Sequence, residues 1–488
     1  MNKKNLFTSA TGALIGLLFF FRFYKIYESV TFLSDQGRDA IILKRIITFE
    51  HFPAIGAPSS VGQVYLGPFY YYLVAPFLGL FHFDPVGPAV GVALLSIIGI
   101  FVAYLAVKKE LSPGVALVFL ALTTFSTILT EYSRFSWNPN LLPYFSFLTL
   151  FFFYQWLEKP SIRDAVIFGA LLGFSIQLHY LGALLAIPIL LFILWKLFEI
   201  QSIKKHIQSF VVSLSAFAIS ISPLIIFDLR HDFLNTHQFY KLFTKGALAS
   251  GNSYPERLQD AIHGLIQHSL QLDTPAFVST VLLLLILVLG YLSYKKTGSK
   301  FILLNVINVI VFLVGFGFLG SERIPHYYGP VILSFYLVLG ATVTLLKQSN
   351  TRYIAVSVVI AIFAFLNISK MYFLFKNGNN QILHAKTVAT FLGEKINNKP
   401  FNFATWPVDL GEDTYLYFLE IDGMPVANRE KLEVTDQLFV ICNQEPCMVL
   451  DSPSWNISMF GDAQITNQWE VEGLKIYRLI HSQTSAQL

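Results

Sequence analysis

The chain has 488 residues, of which 54% are hydrophobic and 13% charged, about half the charged share of an average soluble protein. The formal net charge of +4 is small for this length and dispersed over short loops, which excludes a nucleic-acid footprint. Several apolar runs approach or reach the roughly 20 residues with which an α-helix crosses a hydrocarbon core, so a closed β-barrel is excluded and a polytopic helical membrane protein is expected.

In chain order, Met1-Asn2-Lys3-Lys4 precedes an apolar run to Tyr24. The run ends in Arg22, Lys25 and Glu28 with no small-residue cleavage motif, and so reads as an uncleaved first transmembrane helix. Further crossings are expected at 86–107, 113–130, 140–157, 164–180, 181–198, 208–227, 276–294, 301–319, 328–346 and 352–372, about eleven in all. Residues 66–82 are apolar but short, and Gly67, Pro68, Pro76 and Gly79 interrupt them. If they do not span, Lys108-Lys109, Lys159 with Arg163, Lys204-Lys205, Lys295-Lys296 with Lys300, and Lys347 with Arg352 all fall on the N-terminal side, as the positive-inside rule requires. If they span, all five clusters move outside. Residues 66–82 are therefore expected to be interfacial or re-entrant, with the N-terminus cytoplasmic and the C-terminal part extracytoplasmic, in the plasma membrane.

This topology gathers the polar residues on the outer face: Asp35 and Asp39, then Glu131 and Arg134, His179 and Tyr180, Asp228, Arg230, His231 and Asp232, and finally Glu322, Arg323 and His326. Ser34-Asp35-Gln36-Gly37-Arg38-Asp39 leads into 40–47 as a short amphipathic interfacial helix, with Asp35 and Asp39 four residues apart on one face. As structural residues, the two acids would be a helix cap and a solvated surface carboxylate. Asp228, His231 and Asp232 have the spacing of a helical metal face. The neighbouring Arg230 and the lack of a second cluster argue against a metal there, and no cofactor is expected.

The first helix followed by an Asp motif, an interfacial helix and Gly67-Pro68-Phe69-Tyr70-Tyr71-Tyr72 resembles the C-type membrane glycosyltransferases, in the branch of the protein O-mannosyltransferases and lipid A aminoarabinose transferases. Tyr132-Ser133-Arg134 with Trp137-Asn138-Pro139-Asn140 is similar to the family's second outer loop, and Ile324-Pro325-His326-Tyr327-Tyr328 to its late outer motif. Gln36 stands where the family usually has Glu, which leaves Asp35 as the acid carried over. No Trp-Trp-Asp occurs, unlike the oligosaccharyltransferase branch with its divalent metal. The resemblance implies transfer of one sugar from a polyprenyl-phosphate donor to a membrane lipid, glycan or protein acceptor. Asp35 would be the general base with Asp39 in reserve, and Arg134, Arg230 and Arg323 would hold the donor phosphate. Glu131, His179, Tyr180, Asp228, His231, Asp232, Glu322 and His326 would line the substrate cavity. A flippase or transporter would more usually show mid-membrane acids or paired halves, and an O-antigen ligase or polymerase need not have an acid directly after the first helix.

The division expected is a membrane domain over 1–372, with a first outer loop at 28–85, and a small α/β domain over 373–488. In the latter, Gln381 to Ile396 has helical periodicity, and 438–441, 448–450 and 474–477 read as strands. Cys442 and Cys447 fit a turn closed by a disulfide, which an outward-facing compartment permits.

Overall fold

The computed structural model describes residues 3–59, 64–197, 203–244, 251–320, 322–429, 431–450 and 452–482. Its architecture is helical with one small sheet near the C-terminus, and each of the expected crossings coincides with helical chain. Helix starts follow the local chemistry. Ser112, Ser161 and Ser349 each accept a backbone N–H in the first turn of the helices Pro113–Phe125, Ile162–Leu178 and Asn350–Ile368. Among the described residues, five helices are long and apolar enough to cross a membrane: Val86–Glu110, His206–Arg230, Ala276–Thr297, Pro325–Leu345 and Asn350–Ile368. Pro325–Leu345 is largely buried among its neighbours, whereas His206–Arg230 and Asn350–Ile368 leave most of their Ile, Val, Leu and Phe side chains exposed, as lipid-facing helices do. The contested stretch forms the helix Phe69–Leu80, whose 12 residues give about 18 Å of length, short of a hydrocarbon core of about 30 Å.

Contacts divide the chain into two units. One comprises Met1–Tyr24, Pro53–Leu73 and Val90–Lys376; the other comprises Lys25–Phe52, Val74–Ala89 and Asn377–Leu488. The first-loop helix Ser34–Ile47 thus belongs with the C-terminal residues, a grouping that differs from a boundary at 372. The cause is a tight crossing with the helix Asp413–Ile421. A Cβ placed on Gly37 would lie 2.5 Å from the backbone of Asp413 and Thr414, so only glycine admits this approach. Arg45 Nη2 adds an ion pair to Glu420 at 2.9 Å.

The second unit contains the helix Gln381–Ile396, whose Ile382, Ala385, Val388, Ala389, Leu392 and Ile396 are buried at the spacing the sequence predicts. Its sheet has strands β1 (Asn402–Trp406), β2 (Gln437–Cys442), β3 (Ala463–Val471) and β4 (Leu474–His481) in the order β1-β2-β4-β3. β1 runs parallel to β2, and the remaining pairs are antiparallel. Residues 448–450, expected as a strand, are not one. Both edges of β2 are already taken by β1 and β4, and Val449 instead packs into the core beside Cys442 and Phe460. β3 escapes sequence reading because it is polar and mostly exposed. Its pairing with β4 comes from a tight turn at Glu472 and Gly473, both with positive φ. Cys442 and Cys447 are joined by a disulfide.

Candidate active site

Asp35 and Asp39 lie in the first two turns of the helix Ser34–Ile47. Gln36, the departure from the family's Glu, accepts the backbone N–H of Leu33 at 3.1 Å and so serves as a cap at the helix start. Arg38 bridges the two acids, with Nη1 at 2.7 Å from Asp35 and Nη2 at 2.7 Å from Asp39. Their surroundings differ sharply: the Asp35 side chain is 48% exposed and that of Asp39 1%. Asp35 is therefore the solvent-accessible acid of the pair, and Asp39 the one that fixes Arg38. A third carboxyl, Asp413, joins them. Burial pushes it up to about 6, with Asp39, Asp35 and Glu420 adding repulsion and Arg38 opposing the rise.

The raised Asp413 carboxyl carries a pH prediction. Between about pH 4 and 6 the folded chain holds a proton that the unfolded chain releases, so stability falls as pH rises through that window, by at most about 3 kcal/mol. In Asp413→Asn, thermal unfolding is expected to lose this part of its pH dependence; an unaltered profile would mean that Asp413 is not held protonated.

In the other unit, the sequence-predicted residues fall into four groups. His179, Tyr180 and His326 come together. The His179 and His326 rings are 5.8 Å apart, His179 stacks on Tyr180 at 4.3 Å, and Trp137 meets the edge of His326 at 4.5 Å. His179 ends the helix Ile162–Leu178, and its Nδ1 accepts the N–H of Leu181, which sets the neutral tautomer with the proton on Nε2. Asn138 Nδ2 donates to the carbonyl of Leu178 at 2.6 Å, tying the second outer loop to the same corner.

Glu131 and Arg134 form the second group. Arg134 is buried: its Nη1 donates to the carbonyl of Phe21 at 2.7 Å and its Nη2 to that of Tyr24 at 2.8 Å, and its guanidinium lies 3.7 Å from the centre of the Phe373 ring. These contacts close the end of the first helix, so Arg134 has a structural role beside the phosphate role expected from the sequence. Burial pushes the Glu131 carboxyl up to about 7, against a backbone hydrogen bond from Tyr372 and the nearby Arg134.

The third group disperses. Arg230 is exposed at the end of the helix Ile203–Arg230, and His231 and Asp232 are exposed just beyond it. Asp228 accepts the N–H groups of Asn235 and Thr236, capping the helix Leu234–Thr244, and His231 Nδ1 bonds the carbonyl of Phe227 at 2.8 Å. These are local structural roles. Among the described residues no three His, Cys, Asp or Glu side chains gather as metal ligands.

A polar cavity of about 430 Å³ lies between the helix Tyr254–Leu270 and the residues Gly320, Glu322 and Arg323. Ser253 and Glu256 form a capping box that starts this helix, and Tyr328 Oη and Tyr336 Oη bond its carbonyls at Ala261 and Ser269. Arg257 Nε donates to the carbonyl of Gly317 at 3.0 Å. Arg323 Nη2 donates to the carbonyls of Arg257 and Leu319, while its Nη1 is buried with no protein acceptor among the described residues. His263, Gln267 and His268 complete one wall, and the exposed acids Asp260 and Glu322 stand at the rim. Burial lowers the basicity of His268, leaving a neutral donor. Two guanidiniums with neutral donors and an unpartnered N–H suit an anion, phosphate above all. Sequence reasoning singled out Arg323 and Glu322 here but missed Arg257, His263, Gln267 and His268. The available signal was Ser253-x-x-Glu256 before an amphipathic run.

Residues 66–227 match the family model described as dolichyl-phosphate-mannose-protein mannosyltransferase. No curated protein matches the chain by sequence. Among solved structures, the chain is similar to ArnT from Cupriavidus metallidurans bound to undecaprenyl phosphate, with a TM-score of 0.64, 11% identity and 98% of each chain covered. The apo state of that protein superposes with a TM-score of 0.61 at 13% identity, also over 98% of each chain. The oligosaccharyltransferase of Archaeoglobus fulgidus matches with a TM-score of 0.53 at 13% identity, over 88% of this chain and 66% of the other. The matched family and these structures are all glycosyltransferases. In fold the chain is similar to these C-type membrane glycosyltransferases, and residues 66–227 match the mannosyltransferase family model.

Proposed function

We propose that the chain transfers a single sugar from a polyprenyl-phosphate donor to an acceptor at the outer face of the plasma membrane, with its N-terminus cytoplasmic and its C-terminal domain extracytoplasmic. Asp35 takes the acceptor hydroxyl proton as the new bond to the anomeric carbon forms, and the bond from that carbon to the phosphate oxygen breaks. The polyprenyl phosphate departs as an anion and needs no proton, so the paired acid and base of a glycosidase are not required. Arg323 and Arg257 hold the phosphate and balance the charge it gains.

The observation that carries this reading is the cavity at Arg257 and Arg323, whose Arg323 Nη1 is a buried donor without a protein acceptor. It is supported by the likeness in fold to a protein solved with undecaprenyl phosphate. Incubating the purified chain with radiolabelled polyprenyl-phosphate sugars and membrane acceptors tests it: label should pass from donor to acceptor. We assign the sugar contacts to His179, His326 and Tyr180, which gather as uncharged hydrogen-bonding groups.

A further inference from the structure

The C-terminal domain carries a second depression that the reaction above does not use. It has about 40 Å³ and is lined by Asn402, Arg429, Leu432, Glu433, Trp455 and Asn456 among others. Trp455 is 64% exposed, and the polar Asn402, Arg429, Glu433 and Asn456 line the depression together with the apolar Phe403, Ala427, Leu432 and Met459. The polar groups are held in place. Asn456 Nδ2 donates to Glu412 at 2.8 Å, Arg429 pairs with Glu412 and, at 3.2 Å, with Asp413, and Asn402 accepts from Thr435 and donates to the carbonyl of Glu433. A large aromatic face beside fixed guanidinium, carboxylate and amide groups matches a pyranose ring, which offers a C–H face to stack and hydroxyls on its edge. The small depression admits ring substituents, and the ring itself lies on Trp455.

The position of this depression adds a reason. Glu412 and Asp413, which anchor its Asn456 and Arg429, belong to the same short segment that meets the Asp35 helix. A Cβ placed on Gly411 would lie 2.5 Å from Ser34 Cβ, and one on Gly37 would lie 2.5 Å from the Asp413 backbone. One face of residues 411–413 thus supports the depression and the other supports the helix that bears Asp35.

We propose that this depression is an acceptor subsite that binds a pyranosyl residue of a glycan-bearing acceptor by stacking on Trp455, with Arg429, Glu433 and Asn456 bonding its hydroxyls. This rests on the glycosyl-transfer reading, and it narrows the acceptor to a molecule that already carries sugar.

The test is saturation-transfer NMR on the full chain in nanodiscs with a mixture of the methyl glycosides of mannose, glucose, galactose and N-acetylglucosamine. At least one glycoside should bind, Trp455→Ala should weaken it about tenfold, and Trp455→Phe should restore most of the loss. Asp35→Asn should bind as the wild type does, so that failure of the base assignment and failure of this subsite stay distinguishable. No glycoside signal from the wild type, or an equal signal from Trp455→Ala, overturns the proposal. It also falls if the fluorescence lost in Trp455→Ala is the part that brominated lipids quench, since Trp455 is then a membrane contact.

Discussion

Asp35→Asn is expected to lower turnover by about two to four orders of magnitude while leaving the fold and donor affinity intact, the usual range for removal of a general base. The substitution keeps size and polarity, and Arg38 retains Asp39 as its principal anchor through two of its nitrogens. Asp39→Asn is expected to behave differently. The Asp39 carboxylate is buried and accepts two of the three hydrogen bonds that Arg38 donates to the pair, so its loss should show first as a lower unfolding temperature and only then as lower turnover. Comparing kcat with thermal unfolding for the two variants separates the roles. Unchanged turnover in Asp35→Asn at matched protein amounts removes Asp35 from the chemistry.

The second large effect is expected at the anion cavity. Arg323→Ala removes a guanidinium whose Nη1 has no protein acceptor among the described residues and whose Nη2 already bonds two carbonyls. A charge-assisted bond of this kind contributes about 1.5–3 kcal/mol, so undecaprenyl phosphate should bind roughly 10- to 100-fold more weakly to the variant. Arg323→Lys keeps the charge but not the fork, and should recover part of the affinity. Arg257→Ala should also loosen the helix Tyr254–Leu270, because Arg257 Nε ties that helix to the carbonyl of Gly317. Titration of the lipid phosphate into each variant, with unfolding temperature as the control, checks the prediction. Undiminished affinity in Arg323→Ala would place the phosphate elsewhere.

Much of this architecture is written in hydropathy. The crossings are legible because lipid requires each segment to satisfy its own backbone hydrogen bonds, which leaves a helix of readable length. The helix Gln381–Ile396 is legible for a related reason, since its apolar residues recur at the period of one buried face. Asp35, His179 and His326 were visible as polar residues at the outer ends of apolar runs. Arg134 was visible too, but its structural partners were not: an arginine that grips a phosphate and one that grips helix carbonyls look alike in sequence, and its stacking partner Phe373 is distant in the chain. The cation set at Arg257 was hidden because its helix is amphipathic and polar, and reads as loop beside runs of Leu and Ile. The grouping of the Asp35 helix with residues beyond 377 was hidden as well, because it depends on a backbone approach at Gly37 that no periodicity announces.

The most direct test of the central claim is the fate of the sugar–phosphate bond when the purified chain, reconstituted in vesicles, is given a radiolabelled polyprenyl-phosphate sugar and a membrane extract as acceptor. The account predicts label in the acceptor and free polyprenyl phosphate in equal amounts. Donor that crosses the bilayer with its sugar still attached, and no labelled acceptor, would contradict it and identify a flippase.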